Sequence, residues 1–308
     1  MTTGYEALRR GAALLDLAGR GQIVARGRDR ARLLHNLSSN EVKKLTPGQG
    51  AYAFLLNPQG RIQADLDLFC FAEHFLLDAE TGVREKVLAH IRRYIIADQV
   101  ELEDVTAASA VLALEGPGAA EVLGASGAPA PEDRHTHAAW GDATVAAVST
   151  TGQPGYRIFL PAGRKDEITA RLAAAGAVPA TAEDARTVRI ENGVPRYGDD
   201  IFDTTLPQET GQMHAVSFTK GCYLGQEIVE RIRARGHVNR KLVRVEIDAA
   251  EAPAPGTKLY AGEVEAGETV SAVLSPASGK VAALAYVRSQ YAEAGTELRA
   301  GDSAARVY

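Results

Sequence analysis

Cysteine is scarce: the 308-residue chain holds two, Cys70 and Cys222. Two distant thiols in a chain of this length do not make a disulfide-stapled secreted scaffold, so a reducing, cytoplasmic compartment is expected. Long apolar runs are missing as well. No stretch of about 18 consecutive apolar residues occurs, which leaves no membrane-spanning helix and no expected membrane partner. In the N-terminal MTTGYEALRRGAALLDLAGRG, Asp16 interrupts the short apolar patch and no small-residue cleavage pattern follows, so no signal peptide is read. Basic charge is not in excess either. A net charge of −5 argues against a general nucleic-acid-binding surface, although a locally basic face is compatible with it.

What is present is a hydrophobic content of 45% with 24% charged residues, enough for two or three ordinary domains with real cores. The pattern echoes itself. Ile23 to Leu37 and Val111 to Gly124 each read as a short strand, a Gly-containing turn and a helix, and His74 to Tyr94 and Tyr156 to Gly176 repeat that order. Asn57-Pro58-Gln59-Gly60 marks a hairpin between β-rich runs in the first half, and WGDATVAAVST with GYRIFLP stands in the corresponding place in the second. The expected fold class is α+β. Two pseudo-equivalent antiparallel-sheet units with helices span residues 1–105 and 106–240, and the chain is allowed to cross between them. From about residue 241 to 308, short β-rich runs punctuated by Gly and Pro predict a small β-barrel. The Ala/Pro-rich stretch Gly124 to Ala139 reads as a solvated loop, and its His135 and His137 lack the companion ligands of a metal site.

The chemistry is expected in the glycine-, proline- and charge-rich segment before the barrel, which is too long for a linker. Within KGCYLGQEIVER, Cys222 precedes a helix predicted to start near Gly225, to pair Glu227 with Arg231 and to stop at Gly236. Six Lys/Arg stand against two Glu between Lys220 and Lys241, a local balance of +4. Cations and a helix start favour a thiolate, while free cysteines are among the most buried residues, so a reactive and a structural thiol both remain open. One thiolate cannot hold a cluster or a structural zinc alone. Cys70, in an apolar run, reads as core. Glu191 in VRIENG is placed at the end of a β-like run, where its carboxylate suits an aminopyrimidine edge or is simply solvated. Asp65, after the Asn57–Gly60 turn, faces either a cleft or solvent.

The run PQETGQMHAVSFTKGCYLGQEIVERIRARGHVNRKL resembles the signature of the YgfZ-type folate-binding proteins, a family tied to iron–sulfur cluster assembly or repair and first labelled tRNA-modifying. LLDLAGRGQIVARGRDRARLLHNLSSNEVKKLTPGQGAYAFLLNPQGRI and RIENGVPRYGDD are similar to patterns shared with the aminomethyltransferase (T-protein) of the glycine cleavage system. The resemblance implies three domains around a central folate channel, with tetrahydrofolate as cofactor. It implies Glu191 as the pterin-holding glutamate and Cys222 as the motif cysteine that acts as a transient iron–sulfur ligand or redox thiol. Lys220, Tyr223, Gln226 and Glu227 complete the motif, and Arg233 among the nearby arginines suits a polyglutamyl folate tail. Of the paired T-protein aspartates only Asp65 remains, the first being replaced by Ala64. The expected function is therefore a folate-binding accessory protein serving iron–sulfur assembly proteins or client iron–sulfur enzymes. The alternatives are a folate-dependent aminomethyltransferase or demethylase with Asp65 as acid or base, and a tRNA-modification factor acting through the basic stretch Arg231 to Lys241.

Overall fold

A computed structural model describes residues 2–308. The chain opens with helix α1 (Thr3–Arg10) and strand β1 (Ala13–Asp16). It then builds a first unit from β2 (Gly21–Arg26), α2 (Arg30–Leu37), β3 (Gly50–Leu56), β4 (Ile62–Cys70), β5 (His74–Ala79), α3 (Arg84–Arg92) and β6 (Glu101–Asp104). The second unit follows the same plan with β7 (Ser109–Glu115), α4 (Ala119–Ala125), β8 (His137–Trp140), β9 (Ala143–Ala146), β10 (Gly155–Pro161), α5 (Lys165–Ala174) and β11 (Val178–Pro179). The sheets run β3-β4-β5-β2-β6 and β8-β9-β10-β7-β1-β11. The two units thus share one strand order, and β1 is wedged between β7 and β11 of the second. The N-terminal strand thus crosses to the second unit, while the first unit's last strand ends at Asp104 and the second unit's first strand starts at Ser109. Ala13 and Leu15 of β1 pack under α1 while Leu14 joins the opposite core, as a central strand buried on both faces requires.

Strand periodicity decides what each sheet shows its neighbours. On β4, Ala64, Leu66, Leu68 and Cys70 enter the core under α2 and α3, so Asp65, Asp67 and Phe69 point to the other face. On β5, Phe75 and Leu77 face that core and Asp78 faces away; on β10, Ile158 and Leu160 face the second unit's core and Arg157 and Phe159 face away. The two sheets meet through these second faces. Val24, Phe69, Leu76, Val111, Val148 and Phe159 form an apolar seam between them, and the charged residues stand beside it. The Asn57–Gly60 turn sets the β3–β4 register. Asn57 Oδ1 accepts from the backbone N–H groups of Gln59 at 3.0 Å and Arg61 at 2.9 Å, and Gly60 takes φ +72°. Phe54 consequently lies opposite Asp65.

Helix α6 (Ala182–Glu191) replaces the strand expected around VRIENG. The reason is a capping box: Thr181 Oγ1 accepts from the Asp184 N–H at 3.1 Å, and the Asp184 side chain accepts from the Thr181 N–H at 2.9 Å. The chain then returns to the first unit instead of staying with the second. Tyr197, Ile201, Ala215, Val216, Tyr223 and, from α7 (Gln226–Arg235), Val229 cover Phe54, Leu56 and Ile62. The C-terminal strands β12 (Arg240–Ile247), β13 (Lys258–Ala261), β14 (Val264–Leu274), β15 (Val281–Arg288), β16 (Glu297–Ala300) and β17 (Ser303–Val307) close a six-stranded barrel. It docks on α6 and the 197–209 segment, where Tyr286 donates to the Asp200 carbonyl at 2.9 Å and Arg244 to the Glu191 carbonyl at 2.8 Å. No helix among the described residues is long and apolar enough to cross a membrane.

Candidate functional site

Where the sheets splay apart beside their apolar seam, they leave a cavity of about 510 Å³, within the roughly 300–1,000 Å³ typical of small-molecule sites. Strands β3 to β5 form one wall and β10 with the 147–154 loop the opposite one, while residues 131–135 and 189–214 close the sides. All its lining residues come from the two sheet units and the connecting segment, so the barrel stands behind the site. Buried Glu115 shapes the 149–151 part of the wall. Its carboxylate accepts from the N–H groups of Thr150 at 2.6 Å and Thr151 at 2.9 Å and from Ser149 Oγ at 3.1 Å.

The floor is a network of buried charges joining the two units. Arg157 donates to Asp67 at 2.6 Å and also to Asp78. Arg20 donates through Nε to Asp78 at 2.9 Å and through Nη1 to Glu80 at 2.5 Å, and Arg196 donates to Glu80 at 2.8 Å. His135 Nε2 lies 2.8 Å from Asp67. Burial alone would raise the pKa of these carboxyls, but the cations reverse it: Asp67 falls well below the usual carboxylate range, and Glu80 falls to about 2.

Asp65 is treated differently by the same surroundings. Burial, followed by the negative charge of Glu80, pushes its pKa up to about 7. Among the described residues its one protein donor is Tyr52, whose hydroxyl reaches Oδ2 at 2.8 Å, and none reaches Oδ1. Two neighbouring carboxyl sites with pKa values pushed apart are a recurring arrangement for acid–base chemistry. Above Asp65, the Tyr52 ring stacks on His214 with centroids 5.4 Å apart and planes at 26°, giving a flat aromatic wall.

Of the candidate catalytic and folate-binding residues read from the sequence, Asp65 is the one among the residues lining the cavity. Glu191 lies in the last turn of α6, and its carboxylate is occupied. It accepts from the Tyr5 hydroxyl at 2.9 and 3.0 Å and from Ser275 Oγ at 2.5 Å, with Arg9 at 3.9 Å. It therefore ties α1, α6 and the barrel together and is not among the residues lining this cavity. The KGCYLGQE residues do not line the cavity: they pack beside the cluster over Phe54, Leu56 and Ile62 and against the end of α2. Lys220 is buried, with Nζ donating to the carbonyls of His35, Ser38 (2.6 Å) and Asn40 (2.9 Å) at the end of α2. Burial lowers its pKa to about 8. Tyr223 is buried in the cluster under α7, and its N–H donates to Gln226 Oε1 at 3.3 Å.

Cys222 is exposed, which removes the structural-thiol alternative, whereas Cys70 is buried as expected. The helix after Cys222 starts and stops as its sequence implies, with Gly225 and Gly236 at its ends and Arg231 donating to Glu227 at 2.6 Å. The basic stretch is largely paired. Arg233 meets Glu230 at 3.5 Å and lies over Phe218, and Arg240 meets Glu209 at 3.4 Å. The Arg235 side chain lies outside the described residues. Among the described residues, no cluster of three or more His, Cys, Asp and Glu is arranged to hold a metal ion.

The expected solvated loop around His135 and His137 is instead docked on the first unit. His135 is buried against Asp67, and His137 Nε2 lies 2.9 Å from the Cys70 carbonyl. Sequence reasoning missed Arg20, Tyr52, Arg157 and His214 as cavity residues. Arg157 and Asp67 carried a signal, since each is a charged residue at an every-second position of an otherwise apolar strand.

The chain matches the GCVT N-terminal domain family over residues 1–220 and the glycine cleavage T-protein C-terminal barrel domain over residues 240–307. It is 34% identical over 290 residues to an aminomethyltransferase of Rubrobacter xylanophilus, spanning 92% of this chain and 78% of that protein. An aminomethyltransferase of Nostoc sp. is 29% identical over 316 residues, spanning 97% and 82%. The solved structure of glycine cleavage system aminomethyltransferase T from Bartonella henselae superposes with a TM-score of 0.90 at 24% identity, covering 99% of this chain and 87% of that one, and so shares the fold.

Proposed function

The chain belongs to the glycine cleavage T-protein family, and from that premise we propose that it binds tetrahydrofolate in the cavity between its two sheet units and transfers a one-carbon unit there. The observation that carries this reading is Asp65: a buried carboxyl with a pKa near 7, one oxygen held by Tyr52 and the other open to the cavity. The lining suits such a ligand in kind. The Tyr52–His214 wall matches a flat heteroaromatic ring, and the open Asp65 Oδ1 is an acceptor for an N–H donor. Tetrahydrofolate, when bound, supplies nucleophilic nitrogens that accept the one-carbon unit.

Asp65 then handles the proton. With a pKa near the working pH, it gives a proton to the amine that leaves when the carbon's bond to the donor nitrogen breaks, or removes one from the nitrogen that forms the new bond. Tyr52 fixes the carboxyl's orientation, and the arginine-neutralised Asp67 and Glu80 stay ionised and bound to their partners. The test is turnover of aminomethyl donors with tetrahydrofolate present. Wild type should release the donor's amine, and Asp65→Ala should be slower by about a hundredfold or more. Binding of tetrahydrofolate without turnover of any aminomethyl donor would refute the transfer step.

A second reading has its own observation, the exposed Cys222 thiol in KGCYLGQE. Here the cavity holds the folate while the exposed thiol, outside the cavity lining, serves iron–sulfur assembly or repair as a transient ligand or redox group toward a partner protein. If Cys222→Ala restored iron–sulfur enzyme activity to a deletion strain as fully as wild type, this role would be refuted.

A further inference from the structure

The arginines of the cavity are not equivalent. Arg20, Arg157, Arg189 and Arg196 each donate to a carboxylate of the protein, so their charges are already balanced. Arg134 stands at the exposed rim, and among the described residues no carboxylate lies within ion-pair distance of it. The neighbouring Glu132 also lines the rim without pairing with it. Among the described residues the one polar partner of the Arg134 side chain is His214 Nε2 at 3.0 Å. Partial burial and the Arg134 charge push the His214 pKa down to about 4, so the imidazole is neutral and accepts from the guanidinium. Its ring is in turn stacked on Tyr52. The arginine is thereby oriented by a neutral group that leaves its charge uncompensated.

The backbone supports this placement independently. His135, next in sequence, is the one non-glycine residue with a left-handed backbone among the described residues, at φ +63°. A non-glycine residue in that region is uncommon, although histidine enters it more readily than most, and its contacts hold it there. Here the Asp67 contact and a backbone bond from His135 N–H to the Ala147 carbonyl at 2.9 Å hold it. His135 turns its own side chain inward to the floor, and Arg134 is left at the rim.

We propose that Arg134, positioned by His214, is the anchor for a carboxylate on the ligand's tail, so that the ring system lies on the Tyr52–Asp65 side and a glutamyl tail leaves past Arg134. This inference rests on the folate reading of the cavity and adds the direction in which the ligand lies. Guanidinium–carboxylate hydrogen bonds are charge-assisted and about twice as strong as neutral ones. The experiment is equilibrium binding of tetrahydrofolate and of tetrahydropteroate, which lacks the glutamate, to wild type and Arg134→Ala. The expected result is that Arg134→Ala weakens tetrahydrofolate by about tenfold, leaves tetrahydropteroate unchanged and flattens the salt dependence of tetrahydrofolate binding. If wild type bound both ligands equally, or Arg134→Ala bound tetrahydrofolate like wild type, the anchor would be overturned and the folate reading would stand. Wild type binding neither ligand would overturn both.

Discussion

Replacing Asp65 by Asn separates the cost of the cavity's acid from its use. Asn keeps an oxygen for the Tyr52 hydroxyl and mimics the protonated carboxyl, so packing is nearly unchanged. The folded-state pKa of about 7 lies above the ordinary aspartate value of 3.8 that the unfolded chain shows. A group raised in this sense favours folding fully below 3.8 and loses that contribution as pH rises to about 7. At about 1.4 kcal/mol for each pKa unit, Asp65 costs on the order of 2 kcal/mol at pH 5, where folding must protonate it, and about 4 kcal/mol at pH 8, where it is buried ionised. Paired urea melts of wild type and Asp65→Asn at pH 5, 6, 7 and 8 should therefore show the variant gaining stability progressively, with the gap flattening above pH 7. Turnover should fall in the same variant, the usual trade between a strained site and stability. A stability difference that stays constant from pH 5 to pH 8 would mean that Asp65 ionises as an ordinary aspartate, and the reasoning would fail.

Arg157→Met should destabilise the protein by about 3–5 kcal/mol in urea, because it strands Asp67 and Asp78, both buried at the junction of the two sheets. Gly225→Ala should cost about 2 kcal/mol or more, since φ is +82° there and an added Cβ would sit 2.6 Å from the Asn57 carbonyl oxygen. Gly221→Ala, which meets nothing within 4 Å, should stay within about 0.5 kcal/mol of wild type in the same melts. Maleimide labelling followed by mass spectrometry should add one label to the native protein, at exposed Cys222, and a second at Cys70 once urea unfolds the first unit.

Much of the fold was legible because its signals are local. The Asn57–Gly60 turn, the glycine at each end of α7 and the Gly-punctuated barrel strands all follow from backbone preferences that short windows carry. The repeat was legible for the same reason, since each unit restates one strand–turn–helix order. What the sequence hid depended on partners far along the chain. The insertion of β1 beside β11 pairs residues more than 160 positions apart, as in Ala13 with Val178. The apolar spacing of Val188 and Ile190 reads equally as strand or helix until the Thr181 capping box is given its weight. The site followed the same division. Asp65 was found from its position after a turn, but its neighbours Arg157, His135 and His214 arrive from three other stretches. Glu191 and Lys220 drew attention as charged residues in unusual surroundings, and both prove to satisfy buried polar groups that hold elements together.

Equilibrium binding of tetrahydrofolate to wild type, Asp65→Ala and Cys222→Ala tests most directly whether the cavity is the working site. The expected result is binding by wild type and Cys222→Ala alike, with at least about a tenfold loss in Asp65→Ala. Undiminished binding by Asp65→Ala, or loss of binding in Cys222→Ala, would contradict the assignment of the folate to the cavity.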